Sequence, residues 1–193
     1  MRDIVLRKAA ESRATQEAFF AANADRIAAC ATAMAEAFAR GAKLFAMGNG
    51  GSACDAQHLA VEFVHPVLGK RAPLPAIALS ADAALLSAVG NDGDYALVFA
   101  DQLRLLARPG DLAIAISTSG KSASIQRALQ TARELGLVTI GFSGRDGGRM
   151  PELCEHCFTV PSFSIHRIQE AHGALLHVLW DLIHLSRGEE DLL

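Results

Sequence analysis

Apolar residues recur at helical spacing through residues 3–40, an Ala-rich stretch with no Gly or Pro until Gly41. The pattern predicts two helices, broken near 23–25 and lying outside any sheet. Beyond Gly41 the pattern changes. Short, almost wholly apolar runs at 43–48, 75–80, 111–117, 137–143 and 156–160 read as strands, and they alternate with amphipathic stretches. Those stretches predict helices over 52–65, 82–89, 94–107, 122–135 and 166–187. Strands apolar on both faces and separated by helices indicate an α/β fold, a doubly wound five-stranded parallel sheet flanked by helices, here with an N-terminal helical extension. Residues 1–193 read as a single domain, with the helices of 1–40 preceding an α/β core and C-terminal helix over 41–193. The segment 64–75, which holds three prolines, is expected to be an ordered loop over the site.

Composition narrows the classes. The chain has 193 residues, of which 51% are hydrophobic, and a formal net charge of −3. That mild acidity, without a clustered basic face, argues against broad affinity for nucleic acid or membrane surfaces. No window approaches the ~18 uncharged apolar residues of a membrane span. The N-terminal residues carry charges throughout and lack the apolar core of a secretory signal, so a cytoplasmic location is expected. Cys30, Cys54, Cys154 and Cys157 are accordingly expected to be reduced and mostly packing residues. Cys154 and Cys157 form one CxxC, and no second ligand pair at similar spacing accompanies it to make a structural zinc site.

Two turns carry the chemistry. Residues 47–62, MGNGGSACDAQHLAVE, and 117–122, STSGKS, each pass from the end of an apolar strand through small residues into a helix. There, bare backbone N–H groups and the positive end of a helix dipole face an anion. Gly48, Gly50 and Ala53 fit a dinucleotide pattern, but the acidic residue expected about 20 positions on is missing, Asp82 being too distant and already at a helix start. The second turn contains GKS, yet a P-loop needs Gly where this chain has Ala115. Ser117, Thr118, Ser119 and Ser122 can each donate to a phosphate oxygen, whereas capping a helix needs one hydroxyl. A phosphorylated ligand is the better explanation. His58 and Glu62 follow the first turn on one helix face, as base or metal ligands, the bland alternative being an intrahelical pair.

With both turns in view, the chain resembles the sugar isomerase (SIS) family, and within it the phosphoheptose isomerases. The resemblance rests on four ordered blocks, GNGGSACDAQHLAVEF, PAIALS followed by GND, GDLAIAISTSGKS and RIQEAHGALLH, and covers essentially the whole chain. It implies an aldose–ketose isomerase that interconverts sedoheptulose 7-phosphate and a glycero-manno-heptose 7-phosphate through an enediolate. It also implies that Asn49, Gly50, Gly51, Ser52, Asn91, Asp92 and Gln169 line the substrate, with Ser117, Thr118, Ser119 and Ser122 holding the phosphate. His58, Glu62, Gln169 and His177 fall where the family binds zinc, Glu62 and His177 also acting on protons. A cytoplasmic homotetramer with sites at subunit contacts is implied as well.

The residues themselves place one demand on that assignment. Gln169 and His177 are separated by eight residues, about 12 Å of helix, which is long for two ligands of one ion. Either a neighbouring subunit supplies one of them or the pair brackets the substrate. His65, His156, His166 and His184 are expected at packing or surface positions, and His172 beside Gln169. Two positions depart from the family pattern: Pro66 stands where an arginine is common, and His166 where some members carry an acid. Lys70 or Arg71 could supply the missing cation. The alternative to an enzyme is a non-catalytic SIS protein that binds a sugar phosphate or a partner such as the replication initiator. That group tends to lack a carboxylate at the position of Glu62, which favours the enzyme.

Overall fold

A computed structural model describes residues 1–67 and 71–191. Its strands are β1 (Leu44–Gly48), β2 (Ala76–Ala78), β3 (Leu112–Ser117), β4 (Val138–Gly144) and β5 (His156–Val160). All four pairings are parallel, in the order β2-β1-β3-β4-β5. The α-helices are α1 (Arg2–Ala39), α2 (Gly51–Val64), α3 (Ala83–Asp92), α4 (Val98–Leu106), α5 (Ala123–Glu134), α6 (Met150–Leu153) and α7 (Ile165–Ser186), with a 3₁₀ turn at Tyr95–Leu97. The doubly wound five-stranded sheet expected from the apolar runs is therefore present. β1, β3 and β4 are buried nearly throughout, whereas β2 is a short, half-exposed edge that stops well inside the predicted 75–80.

Alternate residues of each strand feed two separate cores. Leu44, Ala46, Ile114, Ile116, Phe142 and Phe158 pack under α1, α2 and α7. Phe45, Met47, Ala113 and Ala115 pack on the opposite face, against α4 and α5. The chain reverses direction across the sheet between β1 and β3. A crevice therefore opens at their C-terminal ends, where open α/β sheets bind ligands.

The N-terminal region differs from expectation. Residues 2–39 form one unbroken helix, about 57 Å long. The polar triplet at 23–25 does not break it, because Asn23 donates back to the Phe19 carbonyl at 2.8 Å and accepts from Arg26 at 3.0 Å. Those bonds let Asn23 sit buried on the core face. The buried residues of α1 begin only at Phe19, and Ile4, Val5 and Leu6 are exposed. Helix α3, apolar in sequence, likewise buries none of its residues in a single chain. The run predicted over 94–107 begins as the 3₁₀ turn, since Asp94 caps Ala96 and starts the chain afresh.

His172 is a core residue of α7. It is 0% exposed, and its Nε2 lies 3.0 Å from the Ser143 carbonyl at the end of β4. Burial pushes its imidazole down from 6.5 to about 4, the Ser143 carbonyl opposing only in part. The unfolded chain therefore binds a proton that the folded chain refuses between those two values. Stability contributed by the neutral ring is complete above pH 6.5 and is lost as the pH falls towards 4. Urea midpoints at pH 7 and pH 5 should show His172→Gln losing about 2 kcal/mol less than the parent chain over that interval.

Candidate functional site

The first turn is shaped by backbone contact. A Cβ on Gly48 would overlap the Ser52 carbonyl, and one on Gly51 would overlap the Gln169 amide. Gly50 takes φ +57 at the start of α2, so the chain turns sharply and Ser52 N–H bonds to the Asn49 carbonyl at 3.1 Å. Asn49 then reaches across the crevice. Its amide donates to Ser122 Oγ at 3.0 Å and Ser124 Oγ at 2.9 Å, while its carbonyl oxygen accepts from Tyr95 Oη at 3.1 Å. The two turns are thus joined by one side chain.

The second turn is locked from the other side. Gly120 has φ +64, and a Cβ there would overlap the Gly147 carbonyl in the turn after β4. Gln126 donates to the Gly120 carbonyl at 3.2 Å, and Lys121 pairs with Asp146 at 3.0 Å. Ser122 stands at the N-cap of α5 without a capping bond from its hydroxyl, which faces Asn49 and Ser124 instead. Ser119 Oγ accepts from the Lys121 N–H at 3.2 Å. Ser117 is buried at the end of β3, and Thr118 is half-buried. Asn91 and Asp92 lie exposed in the last turn of α3, bonded to one another, just before the segment that delivers Tyr95. Asp82, weighed as a nucleotide-binding acid, caps α3 through Leu85 N–H.

Helices α2 and α7 run side by side in the same direction. Gln169 lies against Gly51, His177 against His58, and Trp180 against Glu62. His58 Nε2 is 3.3 Å from Glu62 Oε1, and His177 Nε2 is 3.3 Å from His58 Nε2. One donor atom from each of the three residues falls within 4.8 Å of the others. Gln169 lies against Gly51 at the glycine turn, two helical turns before His177 on α7. Within one chain the structure brings together three of the four residues that the family resemblance placed on zinc.

The donor set suits such an ion. Ligands bound at about 2.0–2.1 Å in a tetrahedron stand roughly 3.4 Å apart, close to the two separations seen here. The face is open to solvent: the His58 side chain is 42% exposed and that of Glu62 23%. Asp55, one turn before His58, has a half-buried carboxyl whose pKa is raised by burial, with His58 opposing.

Two expectations about cations are resolved differently. Arg71 is engaged within the protein: its side chain is 1% exposed, ion-paired to Asp181 at 2.7 Å and stacked 4.3 Å over the Trp180 ring. Lys70 lies outside the described residues. His65 and His166 are exposed, His184 is buried against Trp180 and Glu189, and His156 is half-buried. Cys154 and Cys157 are free thiols packed around Gly141 at the start of β5. A hydrogen bond from Cys154 is the main cause lowering the Cys157 thiol to about 7, and Cys154 itself is raised. Ser124, Tyr95 and Trp180 were not singled out in the sequence. Ser124 had a signal, lying two residues beyond Ser122, but the other two face the site only through tertiary contacts.

Comparison with known proteins identifies the family. The SIS-domain family profile matches residues 9–144, and the chain belongs to that family. Within it, the chain is similar to phosphoheptose isomerases. That of Nitratidesulfovibrio vulgaris (strain Miyazaki F) is 45% identical over 181 residues, 94% of this chain and 87% of the relative. That of Aquifex aeolicus is 44% identical over 173 residues, 90% of this chain and 91% of the relative. The solved phosphoheptose isomerase of Neisseria gonorrhoeae superposes with a TM-score of 0.88 at 35% identity, covering 94% of this chain and 97% of its own.

The interlock between the turns after β3 and β4 is testable. Gly120→Ala combines a left-handed backbone with an overlap on rigid main chain. It should destabilise the fold by about 2–4 kcal/mol, read as a lowered urea midpoint.

Proposed function

We propose that this protein is a zinc-dependent phosphosugar isomerase that interconverts sedoheptulose 7-phosphate and a glycero-manno-heptose 7-phosphate. The observation that carries the proposal is the pairing of a hydroxyl-lined, doubly glycine-shaped crevice with the His58–Glu62–His177 cluster on the adjoining helices. Asn49, Gly50, Gly51 and Ser52 receive the sugar, with Asn91, Asp92 and Gln169 at its margin. Ser117, Thr118, Ser119 and Ser122 receive the phosphate, together with the N-terminus of α5. The similarity to named phosphoheptose isomerases supports the substrate class.

Aldose–ketose isomerisation removes a proton from the carbon beside the carbonyl and returns it to the neighbouring carbon. It requires a base at the carbon and a proton donor at the oxygen. Glu62 takes the C1 proton of the ketose and returns it to C2 of the enediolate. His177 moves the proton between the two oxygens. His58, Glu62 and His177 would hold zinc, which supplies Lewis-acid polarisation of the carbonyl. The remote phosphate anchors the chain so that C1 and C2 meet Glu62.

In a homotetramer either a neighbouring subunit's Gln169 completes the ligand set, or Gln169, which lies against Gly51, and His177 bracket the substrate within one chain. The exposed apolar residues of α1 and the largely exposed α3 are the faces available for such assembly. Among the described residues no helix is long and apolar enough to cross a membrane, and the cytoplasm is the proposed location.

The primary experiment is NMR of sugar-phosphate turnover with and without added zinc, sedoheptulose 7-phosphate leading a panel of ketose phosphates. Conversion of the heptulose is expected. A folded protein that binds sugar phosphates and converts none would replace this reading with the non-catalytic one. Glu62→Gln should abolish turnover with the melting temperature unchanged, and retained activity would remove Glu62 from the base role. Ser119→Ala should weaken apparent substrate affinity by about 1–3 kcal/mol, as expected for a hydrogen bond to a charged group.

A further inference from the structure

The C-terminal end of α2 has a defect written in the sequence. In a continuing helix the Glu62 carbonyl would accept from the N–H four residues on. That residue is Pro66, which has none. Proline also disfavours helical geometry at the preceding residue, and His65 leaves the helix at φ −132, ψ 74. The carbonyl next to the proposed base therefore needs a partner from elsewhere.

Trp180 supplies it. Its indole Nε1–H donates to the Glu62 carbonyl at 2.9 Å. The ring is itself fixed on two sides. The Arg71 guanidinium lies 4.3 Å over it and is paired with the adjoining Asp181 at 2.7 Å, while His184 meets it edge-on at 4.8 Å. Trp180 lies one helical turn beyond His177 on α7. One hydrogen bond thus joins the backbone of Glu62 to the helix that carries His177, beside the cluster itself.

We infer that Trp180, held by Arg71, is a positioning residue that replaces the helix bond lost at Pro66 and sets Glu62 against His58 and His177. The inference rests on the reading of those three residues as a zinc site. Loss of the indole N–H lets the last turn of α2 fray, and the Glu62 carboxylate then has no fixed distance to the two imidazoles. Pro66 and Trp180 form a compensating pair: with an N–H at position 66, the indole N–H becomes dispensable.

Zinc affinity of the full-length protein, measured by competition with a chromophoric chelator, tests this without reference to turnover. Trp180→Phe keeps most of the ring and removes the donor. It should weaken zinc binding about tenfold, within the range typical of groups that orient metal ligands. Adding Pro66→Ala to Trp180→Phe should recover at least threefold of that loss, which a bulk packing role for the indole would not produce. Equal zinc affinity in Trp180→Phe and the parent, or no recovery in the double variant, overturns the inference. Should Trp180→Phe fail to fold, Arg71→Met takes its place: a weakened zinc affinity supports the clamp and an unchanged one overturns it. His58→Ala is the control for the underlying reading. If the parent binds no zinc, or His58→Ala binds it equally well, the metal site itself fails, a result separable from the failure of the Trp180 link.

Discussion

The arrangement of this molecule depends on the parallel packing of α2 and α7 over one face of the sheet. Both helices start at the C-terminal edge of the strands, so they rise in step and their side chains meet in matched register. Gln169 meets Gly51 at the bottom, His177 meets His58 midway, and Trp180 meets Glu62 at the top. A shift of one residue between the helices would rotate His177 about 100° away from His58. The register is held at the base by the absence of a side chain on Gly51 and at the top by a hydrogen bond and a stacked, ion-paired arginine. Between them lie three donors, His58 and Glu62 one helical turn apart on α2 and His177 more than a hundred residues further along the chain.

The crevice depends on a different constraint, the close approach of backbones. Gly120 and Gly147 interlock the turns after β3 and β4, while Gly48 lets the first turn of α2 fold onto the end of β1. Asn49 then ties the first turn to the second through Ser122 and Ser124, and Tyr95 holds its other end. Most hydroxyls here are engaged in shaping the crevice as well as lining it. Such preorganisation suits a site that must grip a phosphate at one end and present two carbons to a base at the other.

Much of the fold was legible along the chain. The five apolar runs became the five strands because residues buried on both faces of a parallel sheet leave an uninterrupted apolar signature. The helix starts at Gly51 and Ala123 followed from the small-residue turns before them. The expected break at 23–25 did not occur. A polar triplet predicts a turn only when its side chains compete with the backbone, and Asn23 bonds to the preceding turn of its own helix. The edge strand β2 is shorter than its apolar run because only one neighbour pairs with it.

The site divides along the same line. Sequence by itself determined the two glycine turns, their hydroxyls, and the His58–Glu62 pair, because each depends on spacing within one turn or one helix. It marked Pro66 only as a departure from the family pattern, and the cost of its missing N–H became visible once α2 was seen to end at Val64. Only the tertiary structure decided that His177 joins His58 and Glu62, that Gln169 lies against Gly51, and that Arg71 is a buried brace for Trp180. It likewise decided that an indole answers the Glu62 carbonyl. Those facts depend on which residues of two distant helices share a level, and that register is set by packing against a common sheet rather than by local pattern.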